Sequence, residues 1–335
     1  MWVFFEILYG FMIFYGSLLV ICSSSWFVIW FGFELNMVSF IVFFGSKNKV
    51  SLESLFKYFF VQVIGSVFML FFCVLFSLSG ISDFLMGEYY LMDNIMFLVM
   101  VWKLGGGPFF FWMPAVVEGL SWFGNFVLMT WQKIAPLWII GLMSFNQMLV
   151  VLIGFYSVLI GCFGGLNQLL MSSIFVYSSI SHMGWMFFMS SISFYVMILY
   201  YIFYVILSGS LILFFLNSEK VHVNQLYLMK VDLMLMVIFF MGLFSLGGLP
   251  PLLGVYPKWL GLLLLLDFGY VFFCFFLLLL GVISLYYYLR LGYGWILFMN
   301  YSCDWVVGFN KFSLMNLILI NFSCFFMFYF SLVFV

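Results

Sequence analysis

Four ionisable residues stand where an apolar chain has little reason to place a charge. Glu34 falls in Trp30-Phe31-Gly32-Phe33-Glu34-Leu35-Asn36, and Lys103 precedes the run Leu104-Gly105-Gly106-Gly107-Pro108. Lys133 falls in Thr130-Trp131-Gln132-Lys133-Ile134-Ala135-Pro136, and Lys258 in Val255-Tyr256-Pro257-Lys258-Trp259. Each lies inside a stretch apolar enough to cross a bilayer, where a charge costs about 2.5–3.5 kcal/mol on insertion scales. Such a group must be paired, hydrated or able to lose its charge. One salt bridge, Glu34 with Lys103 or Lys133, satisfies two of the four. The remaining lysines must be hydrated, or neutral part of the time. Burial disfavours an ammonium and a nearby anion favours it, so a buried lysine is a proton carrier whose state can be switched. The chemistry these residues suit is proton relay.

Each has a plainer use. Glu34 with Lys103 can be an ion pair that fixes helix register, and Lys258 can extend its ammonium to the membrane surface. His182, in Tyr177-Ser178-Ser179-Ile180-Ser181-His182, is the weakest candidate, because a lone histidine on a serine-rich face is more often a packing residue. Ser178 and His182 are one helical turn apart and can form a water-holding stripe, as can Tyr58, Gln62 and Ser66. Lys57 and Glu118 lie near span ends, where reaching for the surface is the default.

The elements that hold these residues follow from composition. Of 335 residues, 68% are hydrophobic and 6% charged, with 10 Lys+Arg against 11 Asp+Glu. A soluble domain carries about 25% charged residues, so a cytosolic enzyme, a nucleic-acid binder and a disordered chain are excluded. Cys22, Cys73, Cys162, Cys274, Cys303 and Cys324 show no CxxC spacing, which leaves no thiolate cluster for zinc or iron–sulfur. No P-loop and no CxxCH is present, so nucleotide and haem chemistry find no site. Residues 1–22 lack a basic leader and read as a first spanning helix, not a signal or transit peptide.

A helical span needs about 20 mostly apolar residues. That ruler gives 11 spans, at roughly 2–22, 25–45, 54–78, 92–119, 122–145, 147–166, 170–191, 194–216, 232–264, 268–291 and 312–334. The predicted class is an all-α polytopic membrane protein; the runs are continuous, not alternating as in a barrel. Two spans are longer than needed and are interrupted. Leu-Gly-Gly-x-Pro recurs at Leu104 and Leu246, 142 residues apart, and glycine and proline release helical hydrogen bonds there. The interrupted spans are the fourth and ninth. They are an odd number of crossings apart, so they run in opposite directions, the signature of inverted repeats. The predicted organisation is a first five-helix repeat over 1–145, broken around 104–109, and a second over 146–292, broken around 246–251. A loop and a last helix follow over 293–335. Loop cations Lys47, Lys49, Lys220, Lys230, Arg290 and Lys311 all fall on the side of the N-terminus. The opposite loops hold Asp83, Glu88, Asp93 and Asp267, which puts the N-terminus in the compartment of synthesis.

Several stretches together resemble the subunit 2 family of mitochondrial respiratory complex I, NADH:ubiquinone oxidoreductase, in its short animal form. They are WFGFELNMVSF from Trp30, KYFFVQVIGS from Lys57, WKLGGGPFFFWMP from Trp102, EGLSWFGNFVLMTWQKIAP from Glu118, GGLNQLLMSSIFVYSSISHMGW from Gly164, and SLGGLPPLLGVYPKW from Ser245. The resemblance implies an antiporter-like fold of two inverted five-helix repeats, without the three leading helices of longer relatives, and an N-terminus in the matrix. It implies a mid-membrane proton axis of Glu34, Lys103, Lys133 and Lys258. Glu34 would pair with Lys103, Lys133 would connect, and Lys258 would be the second repeat's counterpart. It also implies that the chain carries no redox centre. FMN, iron–sulfur clusters and ubiquinone would belong to partner subunits; antiporter-like subunit 4, small subunit 4L and accessory subunits would be neighbours, with no nucleic acid bound. The sequence departs from the pattern in three places. Phe110 stands where a histidine is usual, 171–173 lacks a basic residue, and Ser181 replaces a frequent asparagine. The expected function is proton translocation coupled to quinone reduction elsewhere in the complex. The rivals are a free-standing cation/proton antiporter and a scaffold subunit that does not pump.

Overall fold

The computed structural model describes residues 2–45, 48–79, 86–143, 145–216, 222–230, 233–250, 252–298 and 305–306. The eleventh expected span, together with Lys47, Asp83, Lys220 and Lys311, lies outside these residues. The described chain is helical, apart from a two-residue parallel pairing of Met229–Lys230 with Trp305–Val306. It divides into two compact units, Met1–Ile153 and Gly154–Val335.

In the first unit α1 (Trp2–Cys22) packs along α2 (Trp26–Phe44), which packs on α3 (Lys49–Ser79). Glycine permits the α1–α2 contact: a Cβ on Gly16 would meet the Gly32 carbonyl oxygen at 2.9 Å. Without a hydrophobic drive between helices in lipid, such close backbone approach is what associates them. Against α3 and the later α7 packs α4 (Met86–Leu104); the short α5 (Trp112–Val117) follows the first break. The expected fifth span is also interrupted. It consists of α6 (Trp122–Met129) and α7 (Trp131–Leu142), separated at Thr130, whose φ of −115° and ψ of −80° are not helical. The junction at Ile153–Gly154 lies within α8 (Gln147–Gly165).

The second unit continues with α9 (Met171–Ser190), α10 (Phe194–Phe215), α11 (Val223–Leu228), α12 (Leu233–Gly247), α13 (Val255–Asp267) and α14 (Val271–Phe298). The expected ninth span is α12 and α13 with the second break between them. Buried α9 crosses α8 at glycines: a Cβ on Gly161 would meet the Ser181 nitrogen at 2.5 Å.

Among the described residues, five helices are long and apolar enough to cross a membrane: Trp26–Phe44, Lys49–Leu75, Gln147–Gly165, Phe194–Phe215 and Val271–Gly294. The expected fifth and ninth spans are each cut into pieces shorter than any of these five, and the expected fourth span into the 19-residue α4 and the six-residue α5. Outer faces are covered by large apolar side chains, such as Phe11, Phe27, Phe272 and Val282, a distribution suited to lipid rather than water. Five charged residues expected in loops belong to helices: Lys49 opens α3, Asp267 ends α13, and the other three lie further inside helices. Glu88 and Asp93 lie in α4. Arg290 lies in α14 and donates from its guanidinium to the Leu166 carbonyl at 2.6 Å and the Gln168 carbonyl at 3.1 Å. Its two bonds serve carbonyls of the turn that follows the C-terminal end of α8 at Gly165.

Candidate functional site: two broken helices and their lysines

Both breaks end a helix in the same way. At the first, Gly105 has φ +67°; its N–H donates to the Trp102 carbonyl, and the Gly106 N–H donates to that of Val101. At the second, Gly248 has φ +89°; its N–H donates to the Ser245 carbonyl, and the Leu249 N–H donates to that of Phe244. A left-handed residue with these paired backward bonds closes a helix C-terminus, and glycine adopts it without a Cβ penalty. The equivalence differs from the sequence repeat by one position. Gly105 matches Gly248 by hydrogen-bond role, so Lys103 matches Leu246, not Ser245.

Each helix end therefore carries an ammonium, delivered differently. Lys103 is in the last turn of α4. A helical side chain leans toward its own N-terminus, so Lys103 folds back across α4 and does not reach the end carbonyls. Its ammonium lies over the Phe33 ring, 4.0 Å from the centroid. Gly65 of α3 makes room, since a Cβ there would meet Lys103 Cγ at 3.1 Å. Other side chains serve the carbonyls: Gln62 Nε2 donates to Lys103 O at 3.2 Å and Trp112 Nε1 to Trp102 O at 3.3 Å. Lys258 approaches from beyond the end, on α13. Its Nζ donates to Leu246 O at 3.0 Å and Gly247 O at 2.8 Å. The C-terminal end of a helix dipole favours a cation in either arrangement.

Glu34 and Lys103 make no ion pair within 4.0 Å, contrary to the expected pairing. Successive helical residues point about 100° apart. Phe33 faces inward at 8% exposure and takes the ammonium, while half-buried Glu34 turns to the next face of α2.

Lys133 is buried in the first turn of α7, just after the interruption at Thr130. It lines the same internal cavity as Lys103, a space of about 20 Å³. A polar bridge crosses that cavity: Gln132 Nε2 donates to Asn36 Oδ1 at 2.9 Å, and the Tyr58 hydroxyl donates to Gln132 Oε1 at 3.4 Å. Glu34, Lys103 and Lys133 thus belong to the first unit and Lys258 to the second.

His182 is buried in the second unit, with Nδ1 2.8 Å from the Tyr200 hydroxyl and its ring beside Tyr204. The serine stripe donates within its own helix: Ser178 to Phe175 O and Ser181 to Ser178 O. The Phe110 ring lies tilted against that of Phe111, with ring centroids 4.1 Å apart. Lys57 is exposed and pairs with Glu53 at 2.7 Å.

Residues 23–284 match the sequence model of the NADH:quinone oxidoreductase/Mrp antiporter transmembrane family. The chain belongs to that family. This antiporter-family chain is 37% identical over 298 residues to NADH-ubiquinone oxidoreductase chain 2 of Anopheles gambiae, covering 87% of this chain and 85% of that one. It is likewise 37% identical over 311 residues to the protein of that name in Aedes aegypti, covering 91% and 89%. A chain of respiratory complex I from Thermus thermophilus shares its fold, with a TM-score of 0.78 at 23% identity over 87% of this chain and 70% of that one.

Sequence reasoning gave no role to Asn36 or Gln132, although both stand within two residues of a singled-out charge. A buried amide flanking a buried ion was the available signal. The break at Thr130 had no glycine or proline to announce it.

Proposed function

We propose that this chain is an antiporter-like membrane-arm subunit of a proton-pumping NADH:ubiquinone oxidoreductase, as its relatives' names suggest. It would move protons along Glu34, Lys103, Lys133 and Lys258 in response to quinone reduction carried out by partner subunits. The observation that carries this reading is the shared cavity of Lys103 and Lys133, bridged by hydrogen-bonded amides and a tyrosine. A structural pair needs no such polar space between two cations.

In this reading a proton reaches Lys103, in the last turn of α4, whose ammonium lies over the Phe33 ring. A change of charge or position at Glu34 alters the cost of that ammonium, and the proton passes toward Lys133. Lys258 repeats the carrier role in the second unit. His182 with Tyr200 is a further proton-exchanging pair. The eleven crossings, the two inverted repeats over 1–145 and 146–292, and the closing segment 293–335 complete the arrangement. The chain would lie in the mitochondrial inner membrane with its N-terminus in the matrix. Subunits 4 and 4L would be its neighbours, and FMN, iron–sulfur clusters and quinone would sit in other subunits.

The test is Lys103→Ala and Lys258→Ala in the assembled enzyme in sealed vesicles. Coupled turnover and proton uptake should fall in both, while NADH oxidation by a soluble electron acceptor persists. Parental rate and proton yield in both variants would overturn the lysine relay. Purification of the chain without an NADH-oxidising assembly, still exchanging cations for protons, would favour a free-standing antiporter.

A further inference from the structure

We infer that Gln132 is a positioning residue. Anchored by Asn36, it holds an acceptor oxygen in the cavity and aligns the proton-carrying water between Lys103 and Lys133. The inference rests on the lysine-relay reading and adds to it the side chain that sets the geometry of one transfer.

The break at Thr130 places Gln132 at the start of α7, beside Lys133. Its two amide atoms have different tasks. Nε2 donates to Asn36 Oδ1 at 2.9 Å, a well-formed bond that fixes the amide plane. Oε1 is then turned toward the cavity, where the Tyr58 hydroxyl reaches it only at 3.4 Å. A bond that long leaves the carbonyl oxygen able to accept a better-placed donor. The cavity encloses about 20 Å³, and a water needs about 10–15 Å³ and two to four polar partners. Lys103, Lys133, Gln62, Tyr58 and Gln132 all line it. The transfer balances simply. The Lys103 ammonium gives a proton to the water oxygen, and the same water gives another of its protons to the Lys133 amine. One N–H breaks and one forms, and no electrons leave the site. Gln132 Oε1 accepts the water's remaining hydrogen and so aims the other two positions at the two nitrogens.

The electrostatic setting makes that alignment matter. Lys103 sits at a helix C-terminal end and Lys133 in a helix first turn. Helix dipoles favour a cation at the first and disfavour it at the second. Transfer toward Lys133 is the demanding direction, and a misplaced water would slow it most.

The experiment compares Gln132→Leu, Gln132→Glu, Tyr58→Phe and Lys133→Ala in the assembled oxidoreductase in sealed vesicles, with proton uptake measured per assembled complex across pH. Gln132→Leu should lower proton uptake about tenfold, the effect of one lost hydrogen bond of about 1.4 kcal/mol. Gln132→Glu should pump near the parental rate at acidic pH, where the carboxyl O–H replaces the amide donor to Asn36. It should lose coupling as pH rises and that proton leaves. Tyr58→Phe should change proton uptake less than Gln132→Leu. Parental uptake in Gln132→Leu, or a Gln132→Glu profile parallel to that of the parent, would overturn the inference. If Gln132→Leu fails to assemble, the Gln132→Glu profile decides alone. Loss in Lys133→Ala without loss in Gln132→Leu would overturn only the role of Gln132. No loss in either would overturn the lysine relay with it.

Discussion

The Lys258 ammonium donates to the Gly247 carbonyl at 2.8 Å, so a lysine from the helix after a break completes the helix before it. Lys103, in the other unit, belongs to the helix it ends and bonds none of that helix's final carbonyls through its ammonium. The same glycine-closed terminus is used in two ways, and the two lysines should respond differently to substitution.

Lys258→Arg separates charge from proton exchange. Arginine keeps the donors for Leu246 and Gly247 but does not give up its proton in proteins. The variant should assemble and show little proton uptake, whereas Lys258→Met should lose both helix-end bonds and proton uptake. Parental pumping by the arginine variant would make Lys258 a structural cap.

Gly248→Ala should destabilise the chain. Its φ of +89° costs an L-residue about 1–2 kcal/mol, and the new Cβ would lie 3.1 Å from Lys258 Cδ. Gly281→Ala on α14 is the control, because a Cβ there meets nothing within 4 Å. The thermal midpoint of the detergent-solubilised complex should fall for the first and hold or rise for the second.

Arg290→Leu should loosen the end of α8. It removes charged hydrogen bonds to Leu166 and Gln168, each worth about 1.5–3 kcal/mol. Arg290→Lys, with a single ammonium in place of the fork, should recover part of the loss. Equal thermal stability in all three proteins would show that α8 ends without this support.

Phe33→Leu removes the ring beneath the Lys103 ammonium. A desolvated cation–ring contact is worth up to about 2 kcal/mol, so proton uptake should fall severalfold, while Phe33→Tyr should stay near the parent. A leucine variant that pumps normally would assign the support of Lys103 to the distant Glu34 charge instead.

Much of this was legible from residue types alone. The charged positions Glu34, Lys103, Lys133 and Lys258 stood out because the surrounding chain has almost no charge. The two Leu-Gly-Gly-x-Pro runs marked both breaks, because glycine alone enters the left-handed region cheaply. Their equivalence was misread by one position, since sequence aligns letters while the helix end aligns N–H groups, and Gly105 rather than Gly106 closes the first. The Glu34–Lys103 contact failed for a similar reason. Charge complementarity does not reveal that Phe33, one residue earlier, points at the ammonium first. Arg290 looked like a loop cation because the carbonyls it serves, at Leu166 and Gln168, are more than 120 residues away.

Lys258 makes the second break mechanically sensitive to its own charge. While protonated, it holds the end of α12 by two charge-assisted bonds. Once neutral, it can offer only ordinary ones, about half as strong. In the first unit Gln62 and Trp112 hold the end of α4 whatever the state of Lys103. In the proposed relay, one lysine would pass its proton beside a fixed backbone, while the other would slacken its backbone each time it gave the proton away.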